Sequence, residues 1–347
     1  MNSMKPLVSV IIPLYNHARF IQSCLQSVYD QSYNNLEIVL VNDGSQDQSP
    51  QVARRYLKQS PYPYTFIDQE NQGAHAAINR GIAQSKGSYI SILNSDDLYH
   101  PDRIASLEKT AAEKDVQFLY TEISHIDDGG RLLEKTSPRR FYYQRSLAIS
   151  KFFPTPSFEL IRQNMVSTTS NFFFKHRLFQ EVGQFRSFVT CHDWDFLLRT
   201  ILITEPYFLK EELLNYRVHQ QSTLNRMDHV RDQEVDRVVS GYLMNMDKAE
   251  NPLAPAPQNW DVYWDHFAEI YLKHIYKYPR SWKLLQEIRS DEKVKLTRPG
   301  KLILQTLSAQ AKDNFQITEQ YWDCLQNNKQ GFSRLKELLK RIFIRNT

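Results

Sequence analysis

The sequence predicts an α/β fold: a mostly parallel, doubly wound sheet flanked by helices, with a C-terminal helical extension. Apolar, β-branched segments alternate at short spacing with amphipathic segments through about residue 115, and each apolar segment ends in polar turn residues. This alternation is typical of a parallel sheet covered by helices. Ligands of such sheets bind beyond the carboxyl ends of the strands, so we expect the polar residues there to form one cleft.

The first two strands are predicted in LVSVIIPLYN and LEIVLVNDGS, two apolar segments that end in turn residues. The second strand breaks at Asp43-Gly44. Ser49 followed by Pro50 predicts the start of a helix, because serine caps helices and proline suits the first helical position. The helix between the two strands has one apolar face, made of Phe20, Ile21, Cys24, Leu25 and Val28.

Two more strands are predicted in YTFIDQE and SYISILN, with a helix over residues 74–84 between them. The second of these strands leads directly to Asp96 and Asp97. FLYTEISHIDDGG is a further strand with a tight turn, whereas residues 131–165 show no clean period. CHDWDFLLRTIL is predicted to be a helix with one apolar face, formed by Trp194, Leu197, Leu198 and Ile201.

We expect four parts along the chain. Residues 1–127 and 128–248 form two halves of one domain, residues 249–259 form a proline-rich, extended linker, and residues 260–347 are mainly helical. The last helix combines an apolar stripe with an excess of basic side chains. Two interpretations of it remain open: packing on neighbouring helices, or contact of residues 331–347 with an anionic membrane surface.

Composition places the chain among ordinary globular proteins and excludes several functions. Apolar residues make up 41% and charged residues 24% of the 347 residues, and a net charge of +4 does not favour general nucleic-acid binding. Three scattered cysteines predict neither a disulfide framework nor a zinc site. No signal peptide or stretch of about 20 apolar residues is evident, so we expect a cytoplasmic protein, peripheral at the membrane if the last helix binds there.

The adjacent carboxylates of Asp96 and Asp97 repel each other unless a cation lies beside them. A lone Ser-Asp-Asp segment is more often a helix cap than a site. Here its position at the end of a strand favours a site, and oxygen ligands without a nearby cysteine pair or HExxH segment suit Mg²⁺ or Mn²⁺. Such ions keep coordination positions for phosphates, which makes a nucleotide diphosphate the expected ligand.

Seven segments in order resemble the inverting glycosyltransferases of family 2, which have the GT-A fold. VSVIIPLYN, VNDGSQD, NQGAHAAINRG and NSDDLYHPDR match the donor-side motifs of the family, and GQF, HDWDFLLR and YRVHQQS look like its acceptor-side segments. The resemblance covers roughly residues 7–225. It implies that residues 1–127 bind a nucleotide-sugar and that residues 128–248 face the acceptor.

The resemblance assigns roles on the donor side. The residue that matches Tyr15 stacks on uracil in this family, and the aspartate that matches Asp43 hydrogen-bonds the ring. Asp96 and Asp97 match the DxD-type motif: we expect Asp97 on the metal ion and Asp96 towards the ribose, with Asp96 also a candidate metal ligand. Asn94 stands where an aspartate is commoner. The other residues that the resemblance assigns to nucleotide binding are Pro13, Asn16, Asn71, Gly73 and Asn79.

The resemblance also assigns roles on the acceptor side. His219 falls where GT-A enzymes often supply a late histidine to the metal. Asp193 matches the catalytic base, with His192 where glutamate is usual, although an aspartate in a first helical turn is also favoured by the helix dipole. We expect acceptor contacts among the aromatic residues of 141–143 and 152–158. Four residues of the predicted helix are expected in the core: Trp194, Phe196, Leu197 and Leu198.

The expected function is metal-dependent, inverting transfer of a hexose or N-acetylhexosamine from a nucleotide diphosphate, most simply UDP, to a glycan or lipid-linked saccharide. The resemblance suggests a bacterial-type polysaccharide pathway. A nucleotidyltransferase on a similar sheet is one alternative, but it normally has a glycine-rich basic loop after the first strand, and PLYNHARF contains no glycine. A non-catalytic nucleotide-sugar-binding module is the other alternative.

Overall fold

The computed structural model describes residues 5–150, 153–219, 228–270 and 272–289. The described residues form a single sheet with helices on both faces. The strands are β1 (Val8–Leu14), β2 (Leu36–Asp43), β3 (Tyr64–Gln69), β4 (Tyr89–Ile92), β5 (Leu98–Tyr99), β6 (Phe118–Ile126), β7 (Phe173–Lys175) and β8 (Tyr207–Arg217).

The helices alternate with strands in the first part of the chain and dominate the last part. They are α1 (Ile21–Tyr29), α2 (Ser49–Leu57), α3 (Ala74–Gln84), α4 (Arg103–Lys114), α5 (Pro138–Ser150), α6 (Pro156–Arg162), α7 (His176–Val182), α8 (His192–Ile203), α9 (Asp228–Leu243), α10 (Pro257–Ile270) and α11 (Pro279–Arg289).

The strand order is β3-β2-β1-β4-β7-β6-β8-β5. The first four strands are parallel, as predicted, and every residue of β1 and β2 is buried because helices cover both faces. Beyond β4 the sheet becomes mixed: β7 is antiparallel to both β4 and β6, and β5 is antiparallel to β8. β8 nevertheless runs parallel to β6, so both strands point towards the same edge as β1 and β2.

The stretch 131–165, for which the sequence shows no period, contains two helices. Tyr143 is the buried residue of α5, so this helix lacks the wide apolar stripe that makes a helix visible in a sequence. In contrast, α6 is buried over most of its length, from Ser157 to Ile161. It therefore has no exposed polar face that would recur at the helical period in the sequence. The expectation of an irregular segment is therefore wrong for residues 138–150 and 156–162.

The segment 249–259 is packed against the sheet domain and is not extended as predicted. Asn251 is buried and its amide donates to Ile201 O at 2.9 Å. Tyr242 donates from its hydroxyl to Pro255 O at 3.0 Å. The prolines therefore shape a buried connection to α10, whose Phe267 contacts Phe158 edge-on with 4.8 Å between the ring centroids.

The predicted amphipathic helix within residues 331–347 lies outside the described residues. Within the described part of the chain, no helix combines the length and the apolar character required to cross a membrane.

Glu159 of α6 should make the free energy of unfolding depend on pH. This glutamate is buried, and Oε1 accepts a hydrogen bond from Arg162 at 2.5 Å. Burial raises the pKa of Glu159 to about 7, although Arg162 acts in the opposite direction. Because the folded-state pKa is raised, the native state keeps a proton that the unfolded chain releases between pH 4.5 and 7.

We therefore expect the free energy of unfolding to fall with rising pH across this window, relative to Glu159→Gln. A difference of about 3 kcal/mol should develop between the two proteins, since one pKa unit corresponds to about 1.4 kcal/mol. Urea unfolding of both proteins from pH 4.5 to pH 8 measures it. A difference that does not change with pH would mean that Glu159 stays ionised beside Arg162.

Candidate active site

Polar residues converge where β1, β2, β4 and β8 end. In the sheet register, Leu14 at the end of β1 lies beside Asn42 of β2, and Ile11 lies beside Ile92 at the end of β4. The turns that follow these strands therefore emerge side by side. The register therefore agrees with the predicted position of the site at this edge of the sheet.

Asp43 stabilises the loop that precedes α3 by accepting hydrogen bonds from it. Its Oδ1 accepts hydrogen bonds from Gln69 Nε2 at 2.7 Å and Gln72 N at 2.9 Å, and its Oδ2 accepts one from Gly73 N at 2.9 Å. Since a carboxylate has about four acceptor positions, one position remains for a ligand. The side chain is almost fully buried, so such a ligand must approach along the cleft.

The neighbouring turns use positive φ angles. Gly44 has φ +70°, and a Cβ there would lie 2.7 Å from Asn71 N, so glycine permits the close approach of the two loops. Gly73 has φ +91° at the start of α3. Asn16 has φ 53°, and its Oδ1 accepts a hydrogen bond from Gln46 N.

Tyr15 lies beside these turns and is 43% exposed, as a stacking surface must be. Pro13 is buried within β1, in register with Val41. Pro13 can therefore support the predicted nucleotide site only through the backbone of β1. Asn71 is an exposed residue of the loop between β3 and α3.

Asn79 contacts the loop before α8. Its Nδ2 donates to Phe185 O at 2.8 Å and its Oδ1 accepts from Phe185 N at 2.9 Å. Both ends of the amide therefore hold α3 against that loop. The predicted role of Asn79 in nucleotide binding stays a prediction.

Asp97 is buried. Its Oδ1 accepts from Arg217 N at 2.8 Å and its Oδ2 accepts from Ser170 Oγ at 2.6 Å. Burial, together with the charge of Asp96, raises the pKa of Asp97 well above its usual range. Each oxygen accepts one hydrogen bond and keeps a further acceptor position, so the predicted metal-binding role of Asp97 stays a prediction.

Asp96 instead faces two histidines. Its Oδ2 lies 2.9 Å from His219 Nε2, and one ligand atom each from Asp96, His219 and His17 lie within 4.8 Å of one another. Burial acts to raise the pKa of Asp96, but the hydrogen bond from His219 and the charges of both histidines lower it overall. These three residues are a candidate metal centre.

His17 belongs to this cluster and was missed in the sequence. The available signal was a histidine two residues after Tyr15, at the end of a strand that delivers ligand-binding residues. Asn94 also has a clear role: its Nδ2 donates to Thr168 Oγ1, and its Oδ1 accepts from Thr169 Oγ1, each at 2.9 Å. Asparagine can do both, whereas an aspartate could only accept.

Asp193 lies in the first turn of α8, as predicted. Oδ2 accepts from Asn164 Nδ2 at 2.7 Å and Oδ1 accepts from Trp194 N at 2.7 Å. Burial raises the pKa of Asp193 although His192 opposes this, so the carboxylate is a stronger base than an exposed one. His192 Nδ1 is buried and has no hydrogen-bond partner among the described residues.

The side chain of Tyr216 links the aspartates of the site. Burial raises the pKa of this phenol, and the negative charges of Asp97, Asp96 and Asp193 raise it further. Tyr216 also lines a cavity with Asn164, whose amide donates to Asp193, and the next residue, Arg217, donates from its backbone to Asp97. These contacts connect the end of β4, the end of β8 and the start of α8.

A cavity of about 440 Å³ adjoins Asp193 through Asn164, which is one of its lining residues. Tyr142, Tyr143 and Tyr216 also line it, together with Arg139. Two of the aromatic residues expected at the acceptor therefore border a real cavity. In contrast, Phe153 and Phe158 are completely buried, so the expectation is wrong for them, and Phe152 lies outside the described residues. The core assignment of Trp194, Phe196, Leu197 and Leu198 is confirmed.

Comparison with known proteins identifies the family. The model of the family described as "Glycosyl transferase family 2" matches residues 9–170. An uncharacterized glycosyltransferase of Rickettsia typhi is 34% identical over 252 residues, which cover 72% of this chain and 75% of that protein. The putative glycosyltransferase EpsH of Bacillus subtilis is 29% identical over 64% of this chain and 63% of its own length. The chain therefore belongs to glycosyltransferase family 2.

Solved structures show the same fold at low sequence identity. S. aureus TarS residues 1–349 in complex with UDP-GlcNAc has a TM-score of 0.56 at 15% identity, covering 79% of this chain and 74% of that one. A mannosyltransferase of Pyrobaculum calidifontis in complex with GDP-Man and Mn²⁺ has a TM-score of 0.56 at 21% identity, covering 89% and 81%. The predicted GT-A fold is confirmed.

Proposed function

We propose that this protein is a metal-dependent, inverting glycosyltransferase that moves a sugar from a UDP-sugar to a hydroxyl group of a glycan or lipid-linked saccharide. One observation carries the proposal: a member of glycosyltransferase family 2 has a His–Asp–His cluster at the edge of its sheet and a buried base candidate, Asp193, held by Asn164 beside a cavity that Tyr216 also lines. The remaining steps assign the donor, the proton and the acceptor to particular residues.

The donor base is assigned to Tyr15 and Asp43. The exposed tyrosine ring offers a face for stacking, worth roughly 1–3 kcal/mol for a nucleobase. The remaining acceptor position of Asp43 suits the imide N–H of uracil. TarS was solved with UDP-GlcNAc and the archaeal mannosyltransferase with GDP-Man, so the fold accommodates more than one base. The carboxylate favours a base with an N–H over cytosine, whose ring nitrogen has none.

The metal ion is assigned to Asp96 and His219, with Asp97 as a further candidate ligand. A carboxylate and an imidazole fit a divalent cation such as Mn²⁺, and the hydrogen bond between them shows that their ligand atoms already face each other. A cation bound there would stabilise the negative charge of the departing diphosphate. Asp97 stabilises the loop that carries Asp96.

Asp193 is assigned as the base that accepts the proton of the acceptor hydroxyl group. Inverting transfer forms a bond between the acceptor oxygen and the anomeric carbon while the bond to the diphosphate oxygen breaks, with its electron pair leaving on the diphosphate. The acceptor hydroxyl proton passes to the Asp193 carboxylate, which Asn164 and the Trp194 amide hold in place. Burial raises its pKa and so strengthens the base.

The acceptor is assigned to the cavity beside Asn164. Exposed aromatic rings suit the apolar faces of sugar rings, and Tyr142 is 64% exposed while lining the cavity. Arg139 adds a positive charge to the lining, which suits the diphosphate of a lipid-linked saccharide. Asn164 connects the two functions, since it lines the cavity and holds the proposed base.

Metal removal should weaken nucleotide binding. Chelation by EDTA is expected to lower the affinity for UDP by a factor of roughly 5–150, the usual range for coupled ligands, and Asp96→Asn should reproduce this loss. Calorimetric titration of UDP with and without Mn²⁺ measures both effects. Asp102→Asn, at an exposed aspartate outside the cluster, is the matched control. UDP binding that is insensitive to EDTA would remove the metal from the proposal.

Base recognition is tested by comparing CDP with UDP. Binding of CDP as tight as that of UDP would remove Asp43 from base recognition.

Replacing the base should separate binding from catalysis. Asp193→Asn keeps the side-chain size but cannot accept the proton, so sugar transfer should fall by roughly 10²-fold or more while UDP affinity stays within a few-fold. Asp195→Asn, on the same helix but paired with Arg199, is the control for changes in α8. Near-normal transfer by Asp193→Asn would place the base elsewhere, with His192 the first residue to examine. Absence of any donor turnover by the wild-type protein would favour the non-catalytic module.

Shortening a cavity aromatic should affect the acceptor alone. Loss of one stacking contact of about 1 kcal/mol in Tyr142→Ala should raise the KM for a saccharide acceptor roughly five-fold. Donor affinity should not change. Steady-state transfer assays with varied acceptor concentration measure the effect, with Tyr276→Ala, an exposed tyrosine outside the cavity, as the control. An unchanged acceptor KM would move the acceptor away from this cavity.

A further inference from the structure

We propose that His17 is a third protein ligand of the metal ion, and that the resulting two-histidine, one-carboxylate site selects a first-row transition metal over Mg²⁺. This inference rests on the proposed function, which supplies the need for a divalent cation. It goes further in adding a ligand from the end of β1 and a metal preference. The argument uses the geometry of His17, its supporting contacts and the chemistry of imidazole.

The three ligand atoms come from separate parts of the chain and still meet. His17 follows β1, Asp96 follows β4, and His219 follows β8. One ligand atom from each lies within 4.8 Å of the other two. The side chain of His219 is 3% exposed, whereas Asp96 and His17 are partly exposed, so an ion could enter from their side. Two imidazoles and a carboxylate that meet in this way can surround one ion.

The backbone of His17 is fixed. Its N–H donates to Ser49 Oγ at 2.8 Å, and its carbonyl accepts from Phe20 N and Ile21 N, each at 2.9 Å. These bonds anchor His17 to the starts of α1 and α2. The ligand therefore sits on a rigid support, as a preorganised metal site requires.

The ring of His17 is oriented as metal-bound histidines usually are. Its Nδ1 lies 2.8 Å from Ser95 Oγ, which leaves Nε2 as the atom directed to the ion. A hydrogen bond on the second ring nitrogen fixes the tautomer and the orientation of a metal-bound imidazole.

One aromatic ring packs against both imidazoles. Phe20 lies 5.7 Å from His17 and 5.2 Å from His219, measured between ring centroids. The guanidinium of Arg217 lies 4.8 Å from the centroid of the same Phe20 ring. These contacts restrict rotation of both imidazoles, so the two ligand atoms keep their mutual distance.

The donor set decides which ion is preferred. Mg²⁺ takes oxygen ligands and retains several waters, whereas imidazole nitrogen suits first-row transition ions such as Fe²⁺, Ni²⁺ and Zn²⁺, a series in which Mn²⁺ is the weakest binder. A site with one carboxylate and two imidazoles therefore discriminates against Mg²⁺. Three protein ligands should also bind the ion before the nucleotide arrives, because the diphosphate is not needed to complete a minimal set.

The test titrates Mn²⁺ and Mg²⁺ separately into the full chain without nucleotide, by calorimetry. We expect Mn²⁺ to bind at least about 10-fold more tightly than Mg²⁺, and His17→Asn to lose roughly 10–100-fold of the Mn²⁺ affinity. Ser95→Ala should show a smaller loss through the freed ring. His100→Asn, at an exposed histidine outside the cluster, is the matched control, and thermal unfolding of each variant reports its folding.

Pulsed electron paramagnetic resonance on Mn²⁺ in the wild-type protein needs no variant. Coupling to two imidazole nitrogens supports the inference; coupling to one or none overturns it, as does unchanged Mn²⁺ affinity in His17→Asn. If UDP binding still depends on Mn²⁺ in that case, the proposed function stands and only His17 is lost from the site. If the wild-type protein binds neither Mn²⁺ nor UDP, the inference and the proposed function both fail.

Discussion

The arrangement of the site depends on the buried carboxylate of Asp97. It accepts one hydrogen bond from the backbone of Arg217 at the end of β8 and one from Ser170. Three chain segments that are distant in sequence are thereby joined at one side chain. Leaving either donor unpaired in this buried position would cost about 1–3 kcal/mol, so the loop after β4 has one strongly favoured position. Asp96 and His219 each lie within two residues of this junction, and their contact follows from it.

Arg217 extends the same junction. Its Nε donates to Asp96 O at 2.7 Å, and its Nη1 donates to Asp127 O and Asp128 O at 2.9 Å. One guanidinium thus connects the aspartate loop with the turn after β6. Its positive charge also lies close to both aspartates, which makes two adjacent acidic residues tolerable in a buried site. The neutral Asn94 avoids a third negative charge there.

The two sides of the cleft differ in construction. The proposed donor side rests on parallel strands whose residues are buried in β1 and β2, and its loops are held by Asp43 and by glycines with positive φ. The proposed acceptor side is built from α5, which has few buried residues, and from the loop around Asn164. Buried strands beside an aromatic cavity suit the proposed binding of a small nucleotide on one side and a larger saccharide on the other. Asn164 lies at the boundary and couples them.

The sequence by itself determined the parallel half of the sheet, the cleft at its edge and the candidate residues Tyr15, Asp43, Asp96 and Asp193. Strand period, turn residues and motif order are local properties, so a single chain displays them directly. The tertiary structure alone decided which partners each aspartate of the pair has, that Asn79 holds a loop, and that His17 lies beside Asp96 and His219. These outcomes depend on contacts between residues 70–120 positions apart, such as His17 with Ser95 and Arg217 with Asp97. Adjacent aspartates look alike in a sequence, and only the donors that surround each one after folding make their roles different.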